Sequence, residues 1–146
     1  MTIRCEIVSQ DRTVFTGDVD IVVLPGAAGE MGILPGHAPV LTSLKFGIIK
    51  VRQKGKEEVF TVAGGIAEVQ PKIVTVLADA AENVMEIDVA RADAARARAE
   101  EALAKGVPAD TDAYLAMEAA LRKSNLRLEA ARRYGKSSTR NPYSEH

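Results

Sequence analysis

The chain has 146 residues, 47% of them hydrophobic and 27% charged, with a formal net charge of −1. That length suits one domain, or a small domain with an appendage, and can bury a real core. Near-zero charge argues against general electrostatic capture of nucleic acid or of an anionic membrane surface, and Cys5, the lone cysteine, excludes an internal disulfide.

The first residues, MTIRCEIVS, carry charge and no apolar stretch, which predicts no secretory signal, and no run is apolar enough to predict a membrane span. Ile3-Arg4-Cys5-Glu6-Ile7-Val8 alternates with period two and predicts a strand, with Cys5 as a small apolar residue on its buried face. Strand-like runs follow at Asp18 to Leu24, Gly47 to Arg52, Glu58 to Ala63, Ile66 to Gln70 and Ile73 to Ala78. Between the first two of these lies Gly29-Glu30-Met31-Gly32-Ile33-Leu34-Pro35-Gly36-His37-Ala38-Pro39, too rich in glycine and proline for an ordinary strand, which reads as a loop. Arg52-Gln53-Lys54-Gly55-Lys56 predicts a hairpin turn, Pro71-Lys72 another, and Gly64-Gly65 a bend or bulge where backbones approach closely. Short strands with frequent turns predict an all-β sandwich or barrel over residues 1–86.

From Asp88 the pattern becomes helical. The alanine-rich run Asp88 to Lys105 opens on an N-cap residue and ends at Gly106. A second helix is predicted from about Asp112 to Tyr134, with Asp110, Thr111 and Asp112 as candidate caps and Gly135 as its stop. The expected unit is an antiparallel two-helix hairpin over residues 87–135, followed by a polar tail, 136–146. Its large apolar residues are few: Val89 and Leu103 on the first helix; Tyr114, Met117, Leu121 and Leu128 in a line on the second, with Leu115 and Leu126 beside it. Alanines bury little area, so such a hairpin docks weakly and reads as a moving part.

No enzyme is indicated. The two histidines, His37 and His146, and one cysteine offer no zinc spacing, no nucleophile motif occurs, and no carboxylates are marked as a catalytic pair. Catalytic and metal-binding residues are therefore expected to be none. The cations concentrate late, at Arg122, Lys123, Arg127, Arg132 and Arg133, without aromatic interleaving, which favours a solvated helix face over a nucleic-acid surface. Arg91 and Arg98 fall on nearly one face of the first helix, near Asp88, and Lys123 and Arg127 share a face of the second. With these faces turned inward, converging cations would oppose closure and an anion would favour it.

The stretch Gly29 to Pro39, followed by Leu44 and Gly47, resembles the signature of the epsilon subunit of F-type ATP synthases, as do Gly64-Gly65-Ile66-Ala67-Glu68-Val69 and Val74-Thr75-Val76-Leu77-Ala78. The resemblance runs from residue 3 to about 134 and includes the order of strands first, hairpin second. It implies a non-catalytic rotor subunit of the central stalk, coupling ion translocation to ATP synthesis, with a β-sandwich that binds the gamma subunit and rests on the c-subunit ring. No nucleic acid is implied. Contact with the membrane would come only through the complex, at the cytoplasmic face of the bacterial inner membrane. Glu30, Met31, Gly32 and His37 would lie at the subunit interface.

In bacterial members the hairpin extends into the alpha/beta catalytic head, where basic residues block hydrolysis; Arg122, Lys123, Arg127, Arg132 and Arg133 would form that inhibitory helix. In some members ATP, as a regulatory ligand and not a required cofactor, stabilises the folded hairpin at a motif Ile/Leu-Asp-x-x-Arg-Ala. Ile87-Asp88-Val89-Ala90-Arg91-Ala92 matches it, and Glu82, Arg98, Lys123 and Arg127 fall where further contacts are expected. Lys123 stands where strong ATP binders carry arginine, a point charge in place of a fork. The alternatives of a different class are a free-standing nucleotide-binding sensor and, more weakly, a nucleic-acid adaptor.

Overall fold

The computed structural model describes residues 1–109 and 111–135, so Asp110 and the polar tail at 136–146 lie outside the described residues. The chain divides into two compact units, Met1–Asn83 and the part from Val84 onward.

The first unit is built of strands: β1 Ile3–Val8, β2 Thr13–Val19, β3 Ile21–Gly26, β4 Gly29–Ile33, β5 Val40–Gln53, β6 Lys56–Val69, β7 Ile73–Ala78 and β8 Ala81–Asn83. They form one sheet in the order β2-β1-β7-β6-β5-β3-β4, with β8 on β6. Side chains from both ends of that order, Val19 of β2 and Ile33 of β4, join one buried cluster with Ile7, Leu24, Ile49, Phe60 and Val76. The sheet therefore folds over on itself as a β-sandwich.

Alternation in β1 carries through as read: Ile3, Cys5 and Ile7 are fully buried. Burial, then the charge of Glu6, pushes the Cys5 thiol up from 9.0 to about 12. Folding thus favours the neutral thiol. That contribution is intact below pH 9 and is lost as pH rises toward 12. Relative to Cys5→Ala, the wild-type chain should lose up to about 1.4 kcal/mol of stability per pH unit above that point, readable as a falling urea midpoint. A difference independent of pH would refute the assignment.

Three strand expectations change. The run Asp18 to Leu24 is two strands, because buried Val19 and buried Val22 are an odd number of positions apart and cannot share one strand face. Asp20 makes the break: its N–H donates to Arg52 O at 2.7 Å and its carboxylate accepts from Lys54 N–H at 2.9 Å. The runs Glu58 to Ala63 and Ile66 to Gln70 are one strand, β6, bent at Gly64 (φ 87°) and Gly65 (φ 133°). At that bend β6 changes neighbour, pairing β8 over Phe60–Val62 and β7 over Gly65–Val69. Residues 29–33 are not loop but strand β4, an edge strand on β3. Edge position lets Gly29 and Gly32 sit in a strand, since only one side needs a partner. The predicted turns hold: Lys54 and Gly55, both at positive φ, close the β5–β6 hairpin where Gln53 pairs Lys56.

The second unit begins with a short 3-10 turn, Val84–Glu86, then α1, Val89–Ala104, and α2, Asp112–Tyr134. Asp88 caps α1, accepting Arg91 N–H at 3.1 Å; Thr111 caps α2, accepting Tyr114 N–H at 3.2 Å. The helices pack against each other as a hairpin. Their buried positions are Ala92 and Ala99 on α1 and Ser124, Ala130 and Ala131 on α2, while Val89 and Leu115 are exposed. No residue larger than serine is fully covered, which is the thin packing the composition predicts.

Candidate functional site

Three surfaces carry the candidate residues. The first is β4 with the loop after it. Glu30 lies opposite Pro25 and Gly32 opposite Val23, both exposed. Met31 points the other way and packs on the core, so exposed Leu34 supplies the outward apolar group that Met31 was expected to present. The loop is held rigidly: Gly36 N–H donates to Pro71 O at 2.8 Å and His37 N–H to Leu34 O at 3.2 Å. His37 Nδ1 sits 2.7 Å from Ala38 O, the geometry of a donated N–H.

The second surface was not anticipated. Leu41, Ile66 and Leu77 are 68%, 44% and 51% exposed. Register brings them together: Leu77 pairs Ile66, Ile66 pairs Ser43, and Leu41 lies two positions from Ser43 on the same face. Leu77 also pairs half-buried Val8 across β1. With strand order β1-β7-β6-β5, these four side chains form an apolar stripe across the outside of the sandwich. The sequence held a trace of it: Ile66 and Leu77 are large and apolar in the opposite phase to buried Ala67, Val69, Val74 and Val76, so both faces of β6 and β7 read as apolar. Apolar residues on both faces mark strands with something to cover on each side.

The third surface is one flank of the hairpin. Along α2, Tyr114, Met117, Leu121, Ser124, Leu128 and Ala131 are half-buried or buried at alternating spacings of three and four, a coiled-coil seam. The residue before each seam position stands about 100° to one side. In an antiparallel pair sharing a seam, those preceding residues fall on the same side for both helices. Arg91 and Arg98, which precede Ala92 and Ala99, therefore share a flank with Lys123 and Arg127, which precede Ser124 and Leu128. The inward arrangement that the sequence left open is not the one adopted: alanines line the α1 side of the seam, Arg91, Arg98 and Lys123 are exposed, and Arg127 is half-buried. The carboxylates Asp93, Glu100, Glu118 and Glu129 follow seam positions and lie on the opposite flank, with Arg122 and Arg132. Arg133 stands apart, its guanidinium 5.7 Å from the Tyr134 ring centroid. Asp88 serves as the α1 cap, and Glu82 belongs to the first unit, on β8, where its carbonyl accepts the Thr61 hydroxyl at 3.4 Å. Among the described residues no group of three or more His, Cys, Asp or Glu could hold a metal ion.

Comparison with known proteins adds a lineage. Residues 2–84 match the family described as ATP synthase, Delta/Epsilon chain, beta-sandwich domain, and residues 85–132 the family described as ATP synthase, Delta/Epsilon chain, long alpha-helix domain. The chain is 47% identical over 137 residues to an ATP synthase epsilon chain of Bordetella parapertussis, covering 90% of this chain and 97% of that one. It is 57% identical over 104 residues to an epsilon chain of Pelotomaculum thermopropionicum, covering 71% and 78%. Among solved structures, a chain of the mitochondrial ATP synthase of Euglena gracilis, resolved as OSCP, F1 and c-ring, superposes with a TM-score of 0.71 at 28% identity, covering 89% of this chain and 81% of that one.

Proposed function

The chain belongs to the epsilon-subunit family of F-type ATP synthases, and from that premise we propose that it works without chemistry of its own, as a rotor part of the central stalk. The observation that carries this reading is the apolar stripe of Leu41, Ile66 and Leu77. Partly covered already, each such side chain still forgoes on the order of 1 kcal/mol of burial, and a contiguous set on a rigid sheet is a surface built to be covered. The gamma subunit is the partner that covers it. The edge strand β4 and its pinned loop then face the c-subunit ring, where Glu30, Gly32, Leu34 and His37 transmit torque through a backbone that resists bending. No helix among the described residues is long and apolar enough to cross a membrane. Attachment at the cytoplasmic face of the bacterial inner membrane is through the complex.

Co-purification tests the role directly. The tagged chain should travel with alpha, beta and gamma subunits; a free monomer carrying nucleotide would favour the stand-alone sensor, and salt-sensitive binding to nucleic acid would favour the adaptor. Replacing both Glu30 and Leu34 with alanine should uncouple ion pumping from hydrolysis by severalfold while leaving the fold intact, since both side chains are exposed. Full coupling in that variant would remove β4 and its loop from the interface.

The basic flank supports a regulatory role for the hairpin. Arg91, Arg98, Lys123 and Arg127 share a side of the hairpin, with Asp88 capping α1 at its start, so a polyphosphate such as ATP would relieve the repulsion among the cations and hold the helices together. Released from that state, the cations of α2 would meet acidic surfaces of the catalytic head and block hydrolysis. Calorimetric titration of the full chain with ATP should show saturable binding that Arg91→Ala weakens by about tenfold or more. No binding at about millimolar ATP would remove the sensor and leave the rotor role standing.

A further inference from the structure

We propose that Arg96 holds the α1–α2 pair below its attainable stability, so that the helices part more readily than an apolar seam would allow. Arg96 lies four positions after buried Ala92 and three before buried Ala99, on the covered face of α1. Its Nε is buried and has no hydrogen-bond acceptor among the described residues. Its Nη2 reaches Asp93 Oδ1 at 2.6 Å, yet that carboxylate is on the same helix, three residues back, so the ion pair shields the charge without tying α1 to α2. The closed hairpin thus strips one guanidinium N–H of water and returns no bond, whereas parting the helices gives that N–H back to solvent. Against a seam whose buried positions are alanine and serine, one such group weighs heavily. An unbranched apolar side chain would carry no such penalty and would keep helix propensity.

The inference deepens the reading of the hairpin as a two-state element and rests on it for its biological meaning. Its physical content is tested separately, by amide hydrogen exchange on the full chain without partners or nucleotide. Arg96→Met should slow exchange along both α1 and α2 by about tenfold or more, with unchanged far-ultraviolet helicity. Asp93→Asn, which removes the shielding carboxylate, should speed exchange, and should have little effect when Arg96 is already Met. Unchanged or faster exchange in Arg96→Met would overturn the proposal. So would an equal effect of Asp93→Asn in both backgrounds, because the carboxylate would then act independently of Arg96. If exchange responds as expected while hydrolysis by the complex is indifferent to Arg96→Met, the hairpin is tuned by Arg96 but does not inhibit, and only the functional reading fails.

Discussion

Gly65→Ala should lower the unfolding free energy of the sandwich by about 3 kcal/mol or more, although it adds a single carbon. Two independent penalties meet at this position. Gly65 has φ 133°, a backbone conformation L side chains rarely adopt. A Cβ there would stand 2.3 Å from Leu77 O and 2.8 Å from Ala78 Cα, both backbone atoms of β7 that no rotamer change can move aside. Relief would require β7 to slide off β6 where Gly65 pairs Ala78, breaking the ladder that carries Val74 and Val76 into the core. Against a typical domain stability of about 5–15 kcal/mol, that loss is large. Gly55→Ala is the internal comparison: its φ is also positive, at 79°, but an added Cβ meets nothing within 4 Å. It should cost about 1 kcal/mol, the backbone share alone. Urea denaturation of the two variants separates the terms, and equal midpoints would mean that the β6–β7 contact is looser than described.

The same position shows what could be read from sequence. Gly64-Gly65 reads as a bend with close backbone approach because glycine doublets inside apolar runs have few other uses. That a single β6 passes through the bend and exchanges β8 for β7 depends on pairing, which no local window contains. Period-two alternation identifies β1 because it has one face inward and lacks internal glycine, and β7 is marked by its short, glycine-free, β-branched run. It fails over Val40 to Phe46, where Thr42, Ser43 and Lys45 dilute the apolar signal, and those residues are strand because β6 pairs them. It fails at β4 because Gly29 and Gly32 mask the alternation of Met31 and Ile33.

The hairpin was legible through its caps, since Asp88 and Gly106 act locally, whereas the seam was only half legible. Ser124 and Ala131 complete the spacing begun by Tyr114 and Met117, and neither is apolar or large enough to announce itself. Which cations share a flank follows from the seam. It could not be settled before the seam was known.

The apolar stripe is the clearest case of a surface hidden by distance along the chain, and it gives the second large prediction. Replacing Ile66 and Leu77 together with aspartate should weaken capture by the gamma subunit by roughly a hundredfold or more, while the isolated chain stays folded at a modest cost in stability. The two effects separate because both side chains are only about half covered before binding, at 44% and 51% exposure, so the substitution removes far less from the folded monomer than from the complex. In the complex the loss is double: the apolar area no longer pays for desolvation, and two carboxylates directly paired across β6 and β7 would be carried into an apolar interface. Their mutual repulsion adds a modest cost in the monomer, which Ile66→Asp alone avoids and against which the double variant is calibrated. Binding of purified gamma subunit, followed by titration and by recovery of assembled complex, reads the effect. Wild-type affinity in a folded double variant would show that gamma sits elsewhere on the sandwich, and the stripe would then lose its place as the observation on which the rotor assignment rests.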